Sequence, residues 1–335
     1  MINRLFIDGN DAYLQYGAYV VSGGWNELVA YPPLKTVDSN DWQEEDGVEA
    51  DLSDPVLNTR EVSVKFAFGG LFSRFCLFIE LLSDGAYHEF NCAYIGRKYK
   101  LRMTQHSSLD IAKTLGTATI KFSDDFPLDG YEYKEPQSSI PVCDDYMLDN
   151  VPTMDYGLRI LQGTMSEVMK PAAVKENLLR NITTKSGAIY DGKTVTYKSK
   201  DVKLQCLMRA ETLDELWRNY DALLYDLIQP DERLLTVREL EQDFPCYYKS
   251  CKVSDFYPDG RIWLTFTLTL TFTGSFRLND DDFVLATEDG IIVFTEDGEN
   301  AVEMLPDKYH SKSMQLVNDR NTIRLIGNGN IRFND

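Results

Sequence analysis

The sequence predicts a mainly β protein: two tandem copies of one sandwich or barrel domain, each carrying a single packed helix, followed by a small C-terminal β appendage. Three observations carry this. The chain matches itself at a shift of 140 residues, each copy holds one segment with apolar residues at helical spacing, and the closing segments alternate apolar residues with Thr. With 335 residues, 43% hydrophobic and 12% aromatic, the chain is long enough for two domains with their own cores.

Residues 1–128 form the first copy. Tyr16 to Lys35 overlies Tyr156 to Lys175, with identities at Tyr16/Tyr156, Gly17/Gly157, Gly23/Gly163, Glu27/Glu167 and Lys35/Lys175. The same ungapped shift runs through Gly47/Gly187 and Asp51/Asp191 to a strand in which Arg60 to Phe68 overlies Lys200 to Met208, giving eight identities in 53 positions. Next, the segment Leu71 to Gly85 reads as a short helix with Phe72, Phe75, Cys76 and Ile79 on one face and Asp84-Gly85 as its stop. A closing strand follows, and at a shift grown to 150 its Thr117, Thr119 and Phe122 overlie Thr267, Thr269 and Phe272. Residues 129–153, rich in Pro, Ser and Asp, read as a linker.

Residues 154–277 form the second copy. Its helix is plain: Leu213, Leu216, Trp217, Tyr220, Leu223, Leu224 and Leu227 fall three and four apart, Thr212 and Glu215 make a capping-box start, and Pro230 marks the end. In the last strand Leu264, Phe266, Leu268 and Leu270 share one face, and Thr265, Thr267, Thr269 and Thr271 share the other with Trp263, a face suited to water or to a partner strand. A twisted sheet with one helix packed on it buries both apolar faces. Residues 278–335 form the appendage, with Asp-Gly hairpin signals at Thr287 to Gly290 and Thr295 to Gly298 and a further turn at Gly327 to Asn330.

Charge and chemistry narrow the function. A net charge of −19 argues against phosphate-driven grip on nucleic acid or on an anionic membrane, because that grip needs clustered Lys and Arg. No segment has the roughly 18 apolar residues of a membrane span, and the opening Met1 to Tyr13 has no signal-like apolar run, so cytoplasmic synthesis is expected. The six cysteines then read as small core residues, with Cys246 and Cys251, five apart, on opposite faces of a strand. His88, His106 and His310 have no ligand or nucleophile at a useful spacing and are expected to be solvated. The Asp8 to Asp11 and Asp280 to Asp282 clusters lack a calcium-loop pattern and read as capped turns, Gly23-Gly24 reads as a turn, and Asn181-Ile182-Thr183 has glycosylation spacing without an export signal. No cofactor, metal or enzymatic activity is predicted. Trp25, Trp42, Tyr131, Tyr133, Tyr247 and Tyr248 are candidates for stacking on a sugar or filling a subunit interface, so a carbohydrate-binding sandwich or adhesin is the alternative reading.

Taken in order, the opening Leu5 to Val20, the loop Asp46 to Phe66 with its counterpart Ser186 to Cys206, the helix from Glu211 and the closing Trp263 to Phe272 resemble the tail-tube-like domain of phage distal tail proteins, over roughly residues 1–276. A typical distal tail protein has one such domain followed by a different sandwich, whereas this chain repeats the unit, as baseplate hub proteins do. The resemblance implies a non-enzymatic component of the virion tail tip, a homo-oligomeric ring joining the tail tube to baseplate or hub proteins, with DNA passing through unbound. The ring would be a hexamer, or a trimer with pseudo-six-fold symmetry. Loops at residues 36–58 and 176–198 would reach over the adjacent subunit, and the candidate inter-subunit residues are Trp42, Asp46, Gly47, Asp51, Arg60, Gly187, Asp191, Lys200, Thr267 and Thr269.

Overall fold

A computed structural model describes residues 4–112, 114–141, 145–175, 184, 186 and 195–274, together with the backbone of 180–181, 188–189, 283–284, 303–304, 315–319 and 322–326. Two compact units result, Met1–Phe276 and Arg277–Asp335. The described fold is mainly β, with antiparallel sheets, a half-barrel and few helices.

In the first repeat the elements are β1 (Leu5–Ile7), β2 (Asn10–Asp11), α1 (Ala12–Tyr16), β3 (Ala18–Val20), α2 (Asn26–Val29), β4 (Ser39–Asn40), β5 (Glu49–Ala50), β6 (Arg60–Gly69), α3 (Phe72–Leu82), β7 (Tyr87–Cys92), β8 (Arg97–Ala112) and β9 (Leu115–Asp124). The second contains β10 (Tyr146–Leu148), β11 (Val151–Pro152), a 3-10 turn at Thr153–Tyr156, β12 (Leu158–Ile160), α4 (Thr164–Met169), β13 (Arg180–Asn181), β14 (Ala188–Ile189), β15 (Lys200–Ala210), α5 (Leu213–Leu227), β16 (Arg233–Val237), β17 (Gln242–Tyr257) and β18 (Ile262–Phe272). Seven strands of the first repeat form one sheet in the order β2-β1-β7-β8-β9-β6-β3, and the second has the same order element for element, β11-β10-β16-β17-β18-β15-β12. Strands β10 and β11 lie inside the stretch 129–153 that composition alone marks as linker, so the second sheet begins before Met154.

Local chemistry repeats with the topology. Gly17 and Gly157 both end a helical turn at positive φ, 72° and 65°, where a Cβ would sit 2.5 Å from the Gly69 carbonyl oxygen and 2.7 Å from that of Arg209. Only glycine fits this strand-to-turn approach. Arg60 donates through Nη1 to the Leu28 and Ala30 carbonyls, and Lys200, 140 residues on, donates to those of Val168 and Lys170. Asp8 and Asp149, both at positive φ, accept from the backbone of Glu89 and Leu234.

Three registers differ from the sequence reading. Val62 faces Phe122 in the first sheet and Val202 faces Leu270 in the second, so the last strands correspond at a shift of 148: Thr117 stands for Thr265 and Thr119 for Thr267. A two-residue slip leaves every side chain on the same face, so the alternation could not reveal it. On β17 a bulge between Tyr248 and Ser250 changes the parity, and Cys246 and Cys251 fall on the same face, opposite Phe272 and Leu268, about 13 Å apart along the strand. On α3 the buried face is Phe75, Phe78 and Leu82, leaving Phe72 and Cys76 exposed. Helix α5 buries six of its seven predicted apolar positions and starts on Thr212, whose Oγ1 accepts from the Glu215 amide at 3.2 Å.

In the second unit β19 (Phe283–Val284) pairs with β20 (Glu303–Met304), and β21 (Gln315–Asp319) pairs with β22 (Thr322–Ile326). Thus Thr322 to Ile326 pairs backwards onto Gln315 to Asp319; Gly327 to Asn330 and both Asp-Gly turns lie outside the described residues.

Candidate assembly interface

The two repeats meet through unlike surfaces, each built from three elements. Repeat one contributes α2 with the segment to Leu34, the loop 41–52, and the turn between β7 and β8. Repeat two contributes α5, β17 and the residues that flank Lys175. At the centre Tyr31 stacks on Tyr220 with centroids 4.0 Å apart and meets the edges of Tyr248 and Phe266. All three tyrosine hydroxyls donate to backbone across the contact: Tyr31 to the Tyr220 carbonyl, Tyr220 to that of Val29 at 3.1 Å, and Tyr248 to that of Pro32 at 2.9 Å. Buried aromatics with satisfied hydroxyls are the composition of a permanent interface. Beside them the Trp217 indole donates to the Ile95 carbonyl at 2.7 Å, and Arg97 lies over its ring, 4.0 Å from the centroid, while pairing with Asp221. Asn26 and Leu34 add bonds to the Ser254 and Lys249 carbonyls.

Lys175 is the polar anchor. Its side chain is 1% exposed, and its ammonium donates to the carbonyls of Trp42 (2.6 Å), Glu45 (2.8 Å) and Gly47 (2.7 Å) and pairs with Asp41 at 2.6 Å. A buried ammonium needs such a cage of oxygens, because nothing else replaces its water. Around it the loop is sewn on by Gly47 and Tyr197, Asp46 and the Tyr197 amide, the Thr196 hydroxyl and Gln43, Val48 and Thr273, and Leu52 and Asp231.

The sequence-selected residues divide accordingly. Trp42, Asp46 and Gly47 sit in this contact, with Gly47 at φ 74° turning its carbonyl onto Lys175 and the exposed Trp42 indole tied to Glu49. Asp51 holds the loop's own base: it accepts from the Ser53 hydroxyl and amide, which lower its pKa. Arg60 and Lys200 turn inward to their own repeats, Arg60 pairing with Asp124 at 2.6 Å. Thr267 and Thr269 lie on β18, which is flanked by β15 and β17, so this strand offers a face and not an edge. Gly187 and Asp191 lie outside the described residues. Sequence reasoning did not single out Lys175, Tyr31 or Trp217 as interface residues; the Lys35/Lys175 identity was the available signal.

Other candidates have structural places. Trp25 and Tyr248 are core, while Tyr131 and Tyr133 pack on Tyr225 of α5. His88 is buried, against the expectation of a solvated residue, with Nδ1 2.6 Å from Asp8 and Nε2 3.1 Å from Asp84. Asp11 caps α1, accepting from Tyr13 and Leu14. Among the described residues there is no group of three or more His, Cys, Asp or Glu placed to hold a metal, and no helix long and apolar enough to cross a membrane.

No protein-family model matches the chain, and no curated protein matches it. Among solved structures the chain is similar to the Dit (gp 19.1) protein of SPP1, described as a paradigm of the hub adsorption apparatus in phages infecting Gram-positive bacteria. The identity is 14% and the TM-score 0.28, over 81% of this chain and 98% of that one.

Proposed function

We propose that this chain is a non-enzymatic structural component of a phage tail tip: a ring-forming distal tail or baseplate protein that joins the tail tube to the tip and surrounds the DNA channel. The observation that carries this is the interface between repeats. Two copies of one fold meet head to tail through different surfaces, and a contact of that kind can be repeated by further copies until a ring closes. Acidity supports the channel, since 53 acidic side chains against 34 basic ones leave DNA no phosphate-neutralising track. Six like domains around a six-fold tube would come from three such chains.

Native mass spectrometry with negative-stain microscopy tests the proposal. A closed ring of three chains with six lobes is expected, with no retention of duplex DNA at physiological salt. A particle that stays strictly monomeric at micromolar concentration overturns it.

A further inference from the structure

Both repeats carry the helix and strand faces that meet inside the chain, α2 or α4 on one side and α3–β8 or α5–β17 on the other, so the internal contact uses one of each and leaves one of each over. Unused are the α4 surface of repeat two, the counterpart of α2 and the segment to Leu34, and the α3–β8 surface of repeat one, the counterpart of α5–β17. We infer that these two leftover surfaces bind each other between chains, with a second copy of this protein as the occupant. This rests on the ring-forming function proposed above and names the surfaces that close the ring.

Exposure shows which positions await a partner. Val29 is 1% exposed beneath repeat two, whereas Met169, at the matching position of repeat two, is 40% exposed. Leu34 is partly buried and its amide bonds to Lys249; its counterpart Val174 is 46% exposed. Lys35 and Lys175 make the same backbone bond, to Val56 at 2.9 Å and to Thr196 at 2.8 Å, yet Lys175 is caged and Lys35 is exposed, its ammonium without a partner among the described residues. When the long helices are aligned on their N-caps, Leu71 and Thr212, the stripe Leu213–Trp217–Tyr220 that repeat one covers corresponds to Phe72–Cys76–Ile79, of which Phe72 and Cys76 are exposed and Ile79 is partly buried. Leu109 and Ile111 of β8 are exposed as well. Positions meant for water would be expected to have turned polar; these have stayed apolar.

The internal contact also supplies a distance. Gly96, in the turn between β7 and β8, lies where a Cβ would be 3.7 Å from the Trp217 indole nitrogen and 3.5 Å from Leu213. Strand register makes Glu241 the counterpart of Gly96, since Cys92 pairs with Arg97 and Val237 with Gln242, and both residues have positive φ, 69° and 49°. The counterpart of Trp217 is Cys76, which is exposed. A thiol at position 241 would therefore stand beside Cys76 of a second copy, and not beside its own.

The full-length Glu241→Cys variant, incubated with oxidised glutathione and run on a non-reducing gel, reads this out. Covalently linked dimers and higher forms are expected, and are expected to vanish in Glu241→Cys/Cys76→Ser. Met169→Asp/Val174→Asp should raise the dissociation constant of the assembly at least ten-fold by sedimentation, whereas Tyr257→Asp, exposed at the end of β17 where its ring stacks on Trp263, should leave it unchanged. A wild-type chain that forms a ring while the thiols fail to link and the Met169→Asp/Val174→Asp variant assembles normally would overturn this assignment and spare the ring. A monomeric wild type would overturn both.

Discussion

A lysine with almost no contact with solvent is stable as a cation only if oxygens replace its water, and Lys175 has four such partners, all from residues 41–47 of the other repeat. Lys175→Met would take the ammonium from three carbonyls, leaving that of Trp42 its 3.4 Å bond from the Glu45 amide, and loosen the loop. The expected loss is about 2–4 kcal/mol in urea unfolding. Lys35→Met, the same change at the exposed counterpart, is expected to stay within about 0.5 kcal/mol for the isolated chain. His88 gives a second residue-scale expectation. Burial opposes its charge, but the hydrogen bonds that its ring donates to Asp8 and Asp84, and the charges of those carboxylates, outweigh burial and raise its pKa above 6.5. A raised folded-state pKa means that this stabilisation is fully present below the unfolded value and is lost as pH rises through the folded one. Unfolding midpoints should therefore fall as pH rises above about 6.5, and the fall should disappear in His88→Gln. Asp84, whose pKa is lowered by the Ala86 amide first and by His88 after it, acts in the opposite sense and only in the acid range.

At the scale of elements, what the sequence made legible was whatever repeats within a few residues. Helix α5 has one apolar stripe and a polar remainder, so its face was readable; α3 is apolar nearly all round, at Phe72, Phe75, Cys76, Leu77, Phe78, Ile79 and Leu82, and periodicity could not choose between stripes. The stripe it favoured, Phe72, Phe75, Cys76 and Ile79, mixes two faces: Phe75 turns to the sheet with Phe78 and Leu82, Phe72 and Cys76 are exposed, and Ile79 is partly buried. Strand β18 was legible as a strand and blind as to register, since slipping by two preserves the alternation. The bulge that brings Cys246 and Cys251 to one face adds a residue without any composition signal. Of the candidate site, Trp42, Asp46 and Gly47 were accessible because a long loop between strands invites a role. Their partner Lys175 was not, for it lies more than a hundred residues away and pairs only once the two repeats have docked.

For the molecule as a whole, the question is whether residues 4–274 behave as two domains or as one. Their buried apolar residues form a single continuous cluster that runs from Leu5 to Phe272, and Tyr31, Tyr220 and Trp217 belong to it from both sides. A core shared in this way couples the repeats, because neither can open without stripping the other's aromatic residues of their packing. Native-state hydrogen exchange should then give Val64 on β6 and Leu268 on β18 the same opening free energy, although they lie in different sheets. Trp217→Ala removes the ring beneath Arg97 and the bond to Ile95, at a cost of about 3–5 kcal/mol. In that variant the two amides should part, with Val64 and Leu268 each reporting the opening of its own repeat. Unequal protection already present in the wild-type chain would mean that the contact is a docking of finished domains.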